Sequence, residues 1–210
     1  GPITFVPDKF TMTAGPVQTV SKPFSMTTSA LNVAGETTFN YQGPAAIRAI
    51  GVNPFDVTGG GISPSHVSGG QWVTGVAQLS AVYNLWGTVK FEIYDQTTPE
   101  QKGNSTDIYF SPNSITAKAE IPQDGRDFFY TGEVFKVTLS VLDAQAAPVP
   151  NFQGNANIHV EPAFEGLENS YLFTLQDQGV KVFALSTQTP GDYVFSFDTS
   201  DGLSAQTEPV

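Results

Sequence analysis

The chain repeats itself, and this is what most restricts its fold. At an offset of 111 residues, 22–50 lies over 133–161 without a gap, and nine of those 29 positions are identical: Phe24/Phe135, Thr27/Thr138, Ser29/Ser140, Leu31/Leu142, Asn40/Asn151, Gln42/Gln153, Gly43/Gly154, Ala45/Ala156 and Ile47/Ile158. Each half also opens alike, with Pro7, Phe10-Thr11 and Ala14 echoed by Pro112, Ile115-Thr116 and Ala117. Two copies of one unit is the economical reading. The boundary falls at Ser111-Pro112-Asn113, giving domains 1–111 and 112–210, each of about 100 residues and large enough to bury its own core.

The periodicity within each copy is that of strands. In 133–141, Phe135, Val137, Leu139 and Val141 alternate with Lys136, Thr138 and Ser140, one face apolar and the other wet. Similar runs occupy 5–13, 24–31, 45–50, 73–82 and 88–94 in the first half. In the second half they recur at 156–160, 171–175, 180–185 and 192–197. Turn residues separate them, consistent with 20 Gly and 15 Pro, and no amphipathic helix exceeds two turns. About seven short strands per 100 residues predicts two tandem immunoglobulin-like antiparallel β-sandwich domains. Asp177-Gln-Gly179, between two apolar runs, is expected to form a hairpin. The first copy departs in its middle, where a Gly-rich insertion loop spans 51–71.

The second copy carries Phe152-Gln-Gly154, Phe173, Asp177-Gln-Gly179, Phe183 and Gly191-Asp-Tyr-Val-Phe195. In this it resembles the bacterial Ig-like repeats of adhesins, surface-layer proteins and multimodular secreted proteins. The resemblance covers roughly 113–210, and the first copy shares its front through Tyr41-Gln-Gly43. It implies sandwich architecture and a place outside the cell.

Composition excludes several functions. Zero cysteines removes disulfide scaffolds, thiolate metal sites and thiol nucleophiles. A net charge of −11, with basic residues scattered singly, argues against nucleic acid. The charge is uneven: up to residue 113 there are 7 acidic and 5 basic residues, net −2, and thereafter 13 and 4, net −9. No apolar stretch is long enough to insert into a membrane. Gly1-Pro2 reads as a protease scar on a fragment of a longer polypeptide, and the short junction at Pro112 as a stiff connection.

A sandwich has no built-in chemistry, so loops and exposed faces carry the candidates. Beside the long loop, Trp72, Trp86 and Tyr83 are expected to offer flat faces to sugar rings, against the alternative that they are core residues. Calcium is a second expectation, through the carboxylate pairs Asp198/Asp201 and Asp124/Asp127, whose bland reading is local turn hydrogen bonding. The histidines, His66 and His159, sit in no catalytic frame, and Glu165 and Glu168 read as solvated. Lys90, Lys136 and Lys181 fall on the wet phase of their strands, which argues against a Lys–Asn isopeptide cross-link. Phe128-Phe129-Tyr130 breaks alternation, so at least one ring leaves the core, either to pack at the junction or to bind a partner.

The expected function is therefore a non-catalytic structural or adhesive module of a secreted or cell-surface bacterial protein, a tandem rod that can join a surface layer or pilus-like assembly. It needs no cofactor, with calcium as the one candidate. Its partners are neighbouring domains, a surface glycan or a cell-surface protein. The alternative is a carbohydrate-binding module using the aromatics of the first domain.

Overall fold

The computed structural model describes residues 6–51, 61–120, 122 and 124–210. The chain divides into two compact units, Gly1–Ser111 and Pro112–Val210.

In the first unit, strands β1 (Lys9–Ala14), β3 (Phe24–Leu31), β7 (Val76–Tyr83) and β5 (Ile62–Ser63) form one sheet in the order β1-β3-β7-β5. The other sheet runs from β2 (Val17–Thr19) through β10 (Ile108–Ser111), β8 (Gly87–Asp95) and β4 (Ala45–Gly51) to β6 (His66–Val67). Strand β9 (Lys102–Asn104) also pairs with β8. In the second unit, β11 (Ser114–Ala119), β12 (Phe135–Leu142) and β15 (Val180–Leu185) face a sheet ordered β14 (Ser170–Leu172), β13 (Asn155–Glu161), β16 (Val194–Thr199), β17 (Ser204–Gln206). Second and fifth strands paired in one sheet, with third, sixth and seventh in the other, is the immunoglobulin-like strand order. Both units have it.

Alternation fills the gap between the sheets. Phe135, Val137, Leu139 and Val141 are buried while Lys136 is exposed and Thr138 and Ser140 are half-buried. Phe24, Met26, Thr28 and Ala30 do the same in β3. Phe91 packs edge-on against Tyr83 and Phe110 in one core, and Phe195 packs against Phe135 and Phe164 in the other.

Two expectations change. The segment Asp177-Gln-Gly179 joins β14 to β15, which belong to different sheets, so it is an inter-sheet corner and not a hairpin. Asp177 fastens it by accepting the Thr174 N–H at 2.7 Å and the Tyr171 hydroxyl at 2.9 Å. Gly179 has φ +77, and a Cβ there would lie 2.5 Å from the Val149 carbonyl oxygen. The first unit builds the same corner at Thr74-Gly75, with φ values of 51° and 79°, so the strand expected at 73–82 begins only at Val76. The aromatic-X-Gly glycines, in turn, are needed for space. A Cβ on Gly154 would meet Phe152 Cζ at 2.4 Å, because that ring folds back over the glycine.

Residues 52–60 of the insertion lie outside the described residues. The remainder supplies β5, which pairs with the edge of β7, and β6, which pairs with β4.

Candidate functional site

The feature that most distinguishes the second unit is the connection between its first two strands. Fifteen residues separate β11 from β12, against nine between β1 and β3. Gly125 (φ 81°) and Gly132 (φ 82°) turn the chain within it. The Gly132 N–H donates to the Thr187 carbonyl at 2.7 Å, tying the loop to the end of β15.

Arg126 organises this loop. Its Nε donates to Asp124 Oδ2 at 2.6 Å, and its two terminal nitrogens donate to the two oxygens of Glu133 at 2.9 and 2.8 Å. A forked guanidinium facing a carboxylate in this way is the strongest form of ion pair. Glu133 also accepts the Tyr130 N–H at 2.9 Å. The guanidinium carbon lies 4.8 Å from the centre of the Tyr130 ring and 5.6 Å from that of Phe128. Those rings meet edge to face at 5.4 Å. Hydrogen bonds from Arg126 and from the Tyr130 N–H pull the Glu133 carboxyl down to about 2. The same ion pair with Glu133, and that with Asp124, push Arg126 above its ordinary range.

The three aromatics divide in consequence. Phe129 turns inward and packs 5.4 Å from Phe135. Phe128 and Tyr130 remain 50% and 65% exposed. They form an aromatic pair around a cation at the surface. Sequence reading singled out the rings. It missed Arg126 and Glu133, whose spacing of seven residues has no meaning until the loop closes.

The expected sugar platform is placed differently. Trp72 is 3% exposed and packs on Tyr41 and Phe10, and Tyr83 is 1% exposed against Phe91 and Phe110. Burial pushes the Tyr83 hydroxyl up to about 12. Neither ring can stack on a sugar, because both face the core; a tryptophan and a tyrosine bracketing a strand are as well suited to filling a sandwich as to lining a cleft. Trp86 is half-buried and donates to the Tyr109 hydroxyl at 3.1 Å.

The four acids proposed for calcium are occupied locally in part. Asp124 is held by Arg126. Asp198 accepts from Asn157 at 2.8 Å and lies 3.2 Å from His159 Nε2. Asp127 is exposed and Asp201 half-buried. Among the described residues no group of three or more acids or histidines could hold a metal. His66 is exposed beside Ser65, which it meets at 2.9 Å. Lys90 and Lys136 pair with Asp107 and Glu120 at the surface, and Lys181 lies 4.2 Å over the Tyr171 ring. Glu165 and Glu168 are exposed.

No family model matches the chain, and no curated protein matches it. Solved structures similar to it include FdeC, described as a broadly conserved Escherichia coli adhesin, at 14% identity and TM-score 0.40 over 97% of this chain and 66% of that one. Invasin, a bacterial integrin-binding protein, matches at 12% identity and TM-score 0.46 over 95% and 39%. A β-glycosidase from Bacteroides vulgatus matches at 11% identity and TM-score 0.35 over 95% and 24%. The chain thus spans from a quarter to two thirds of these structures. Its immunoglobulin-like fold rests on the strand order described above.

Proposed function

We propose that this chain is a non-catalytic adhesive module of a bacterial cell-surface or secreted protein, and that its second unit contacts a partner protein through Phe128 and Tyr130. The observation that carries this reading is the exposed ring pair fixed around Arg126. Aromatic and arginine side chains dominate binding energy at interfaces. A loop already held by ion pairs loses little freedom on binding. The resemblance of the second copy to bacterial Ig-like repeats supports a place outside the cell. Among the described residues no helix is long and apolar enough to cross a membrane.

The test is binding of the labelled chain to cultured epithelial cells, compared with a Phe128→Ala/Tyr130→Ala variant of unchanged melting midpoint. Binding lost in the variant supports the patch. Equal binding discards it, and no binding by the parent chain counts against the adhesive reading. A carbohydrate-binding reading now depends on Trp86, and glycan-array binding abolished by Trp86→Ala would favour it. Calcium has no part in the proposal: the midpoint should be the same in calcium and in chelator. The finer reading, assembly into a surface layer or pilus-like array, predicts concentration-dependent growth in light scattering.

A further inference from the structure

The outward face of β8 in the first unit gathers cations. Directly paired residues share a face of a sheet, and so do alternate residues of one strand. The pairings Arg48–Glu92, Ile50–Lys90, Tyr94–Lys102 and Thr88–Tyr109 therefore put Arg48, Lys90, Glu92, Tyr94, Lys102 and Tyr109 on one side. Three of the five basic residues of this unit are there. Glu92 lies beneath two of them: its side chain is 6% exposed, against 58% for Arg48 and 54% for Lys102. Arg48 donates to Glu92 Oε1 through Nε, at 2.8 Å, and through Nη2, while Lys102 Nζ lies 3.2 Å from Oε2. The guanidinium carbon is also 5.2 Å from the centre of the Tyr94 ring.

The fold does not require this network. Pairing aligns Ala45 with Ala156 and Asp95 with Thr199, so Arg48–Glu92 corresponds to His159–Ser196, and Tyr94–Lys102 to Asp198–Ser204. A sandwich of the same strand order thus forms with a histidine and two serines in these places. Drawing a carboxylate out of water beneath its cations is costly, and such a network is weak evidence for stability. What it achieves is placement. One buried carboxylate draws a guanidinium from β4 and an ammonium from β9 together and holds both where solvent reaches them. A ligand arriving from solvent meets the cations before the acid. Lys90, 3.3 Å from Asp107, is a third cation on this face. The half-buried rings of Tyr94 and Tyr109 accompany them, with Trp86 bonded to the Tyr109 hydroxyl.

We propose that this face binds an acidic glycan, with the carboxylate of a uronate sugar seated between Arg48 and Lys102. The guanidinium fork matches a carboxylate, and flat aromatic side chains with a polar tip suit a sugar ring that is apolar on its face and polar at its rim. Cations and rings together, on an open sheet face, fit a ligand whose charges are carried by rings; an acidic peptide supplies the charge without the ring. The site is separate from Phe128 and Tyr130, and it rests on the carbohydrate-binding reading, to which it gives a ligand class.

The test is titration of the whole chain with a galacturonate trisaccharide, followed by NMR. Saturable shifts at Arg48, Tyr94 and Lys102, with none at His159 or Ser196, are expected, and affinity should fall as salt is added. The neutral galactose trisaccharide of the same linkage should bind more weakly by about tenfold or more. The acidic sugar should be weakened as much in a chain given the sister's residues, Arg48→His, Glu92→Ser and Lys102→Ser, which removes both cations without leaving a carboxylate buried alone. If that variant does not fold, Lys102→Gln, which leaves Arg48 on Glu92, is read by the same criterion. Undiminished binding by the folded variant would overturn the proposal, as would equal shifts with a triglutamate peptide, which would assign the face to acidic protein. Equal binding by the two sugars would overturn the acidic ligand and leave the carbohydrate-binding reading standing. No binding by either would overturn the proposal, and glycan-array binding with Trp86→Ala then decides that reading separately.

Discussion

The Tyr41 hydroxyl donates a 2.6 Å hydrogen bond to Asp95 in the interior of the first unit, at positions where the second unit has Phe152 and Thr199. The correspondence follows from pairing, since Ala45 faces Asp95 and Ala156 faces Thr199. One copy thus carries a buried polar pair where the other carries an aromatic and a hydroxyl. Tyr41→Phe leaves the Asp95 carboxylate one donor short, and a loss of about 1–3 kcal/mol is expected in denaturant unfolding. Tyr41→Phe combined with Asp95→Thr reinstates the sister's pair and should cost less than the two single changes added together.

Asp95 also gives the first unit an acid limit. Burial on its own would raise this carboxyl, but hydrogen bonds from Thr97, Tyr41 and the backbone N–H groups of Thr98 and Thr97 outweigh it and hold the carboxyl below its ordinary 3.8. A group depressed on folding stabilises above its unfolded value, and that stabilisation is lost as pH falls through the folded one. Unfolding free energy should therefore decline below about pH 4, and Asp95→Asn should flatten that decline.

Glu133 is a second carboxylate of this kind, at the surface. Its ordinary value is 4.5 and its folded value about 2, with the Arg126 hydrogen bonds as the main cause. Its contribution is complete above 4.5 and disappears as pH falls through about 2. In Arg126→Gln its carboxyl, followed by carbon NMR, should titrate close to the ordinary range, about 4.3. A value still near 2 would show that the Tyr130 N–H is sufficient.

In each unit a hydroxyl does backbone work one residue past a strand, Ser105 after β9 and Thr207 after β17. Phe91 donates its N–H to Ser105 Oγ at 3.0 Å and accepts the Ser105 N–H at 2.8 Å. Phe195 donates to Thr207 Oγ1 at 3.1 Å and accepts the Thr207 N–H at 2.9 Å. Thr207→Val keeps the shape but strands the Phe195 N–H in the core, with an expected cost of about 1–3 kcal/mol. Faster hydrogen exchange at the Phe195 amide is the direct readout.

At the entrance to β16, the Tyr193 hydroxyl donates to the Thr189 carbonyl at 3.0 Å, bracing the corner before the strand as in other immunoglobulin-like sandwiches. Tyr193→Phe should lower stability by about 0.5–1.5 kcal/mol with little change in the folded spectrum.

The duplication, the boundary at Pro112 and the buried phase of the long strands were legible because alternation is a local signal and the offset of 111 is unbroken across two strands. Beyond them it breaks. Phe24 faces Ala81 and Phe135 faces Leu185, so β7 and β15 align at 104, and the Ser105/Thr207 equivalence at 102 is invisible to an ungapped comparison. The same offset of 111 sets Asn32 over Asp143, a chemical likeness and not an identity. Its reason is a turn, in which Asn32 Oδ1 accepts the N–H groups of Ala34 and Glu36, and Asp143 Oδ1 those of Gln145 and Ala147. Trp72 and Tyr83 misled because aromaticity specifies a flat ring without saying which side of a sheet it occupies. Arg126 was silent because a loop's ion pairs depend on its closure and have no periodicity.

Strand β5 has one further implication. It shields the outer border of β7, while β15, in the corresponding place, ends its sheet with Val182 exposed and a single cation, Lys181, drawn over Tyr171. Crowded side by side, two such molecules could zip together along that bare margin into an unintended continuous sheet, and a lone lysine is a modest guard against it. Deleting that charge should turn a soluble preparation into one that slowly precipitates.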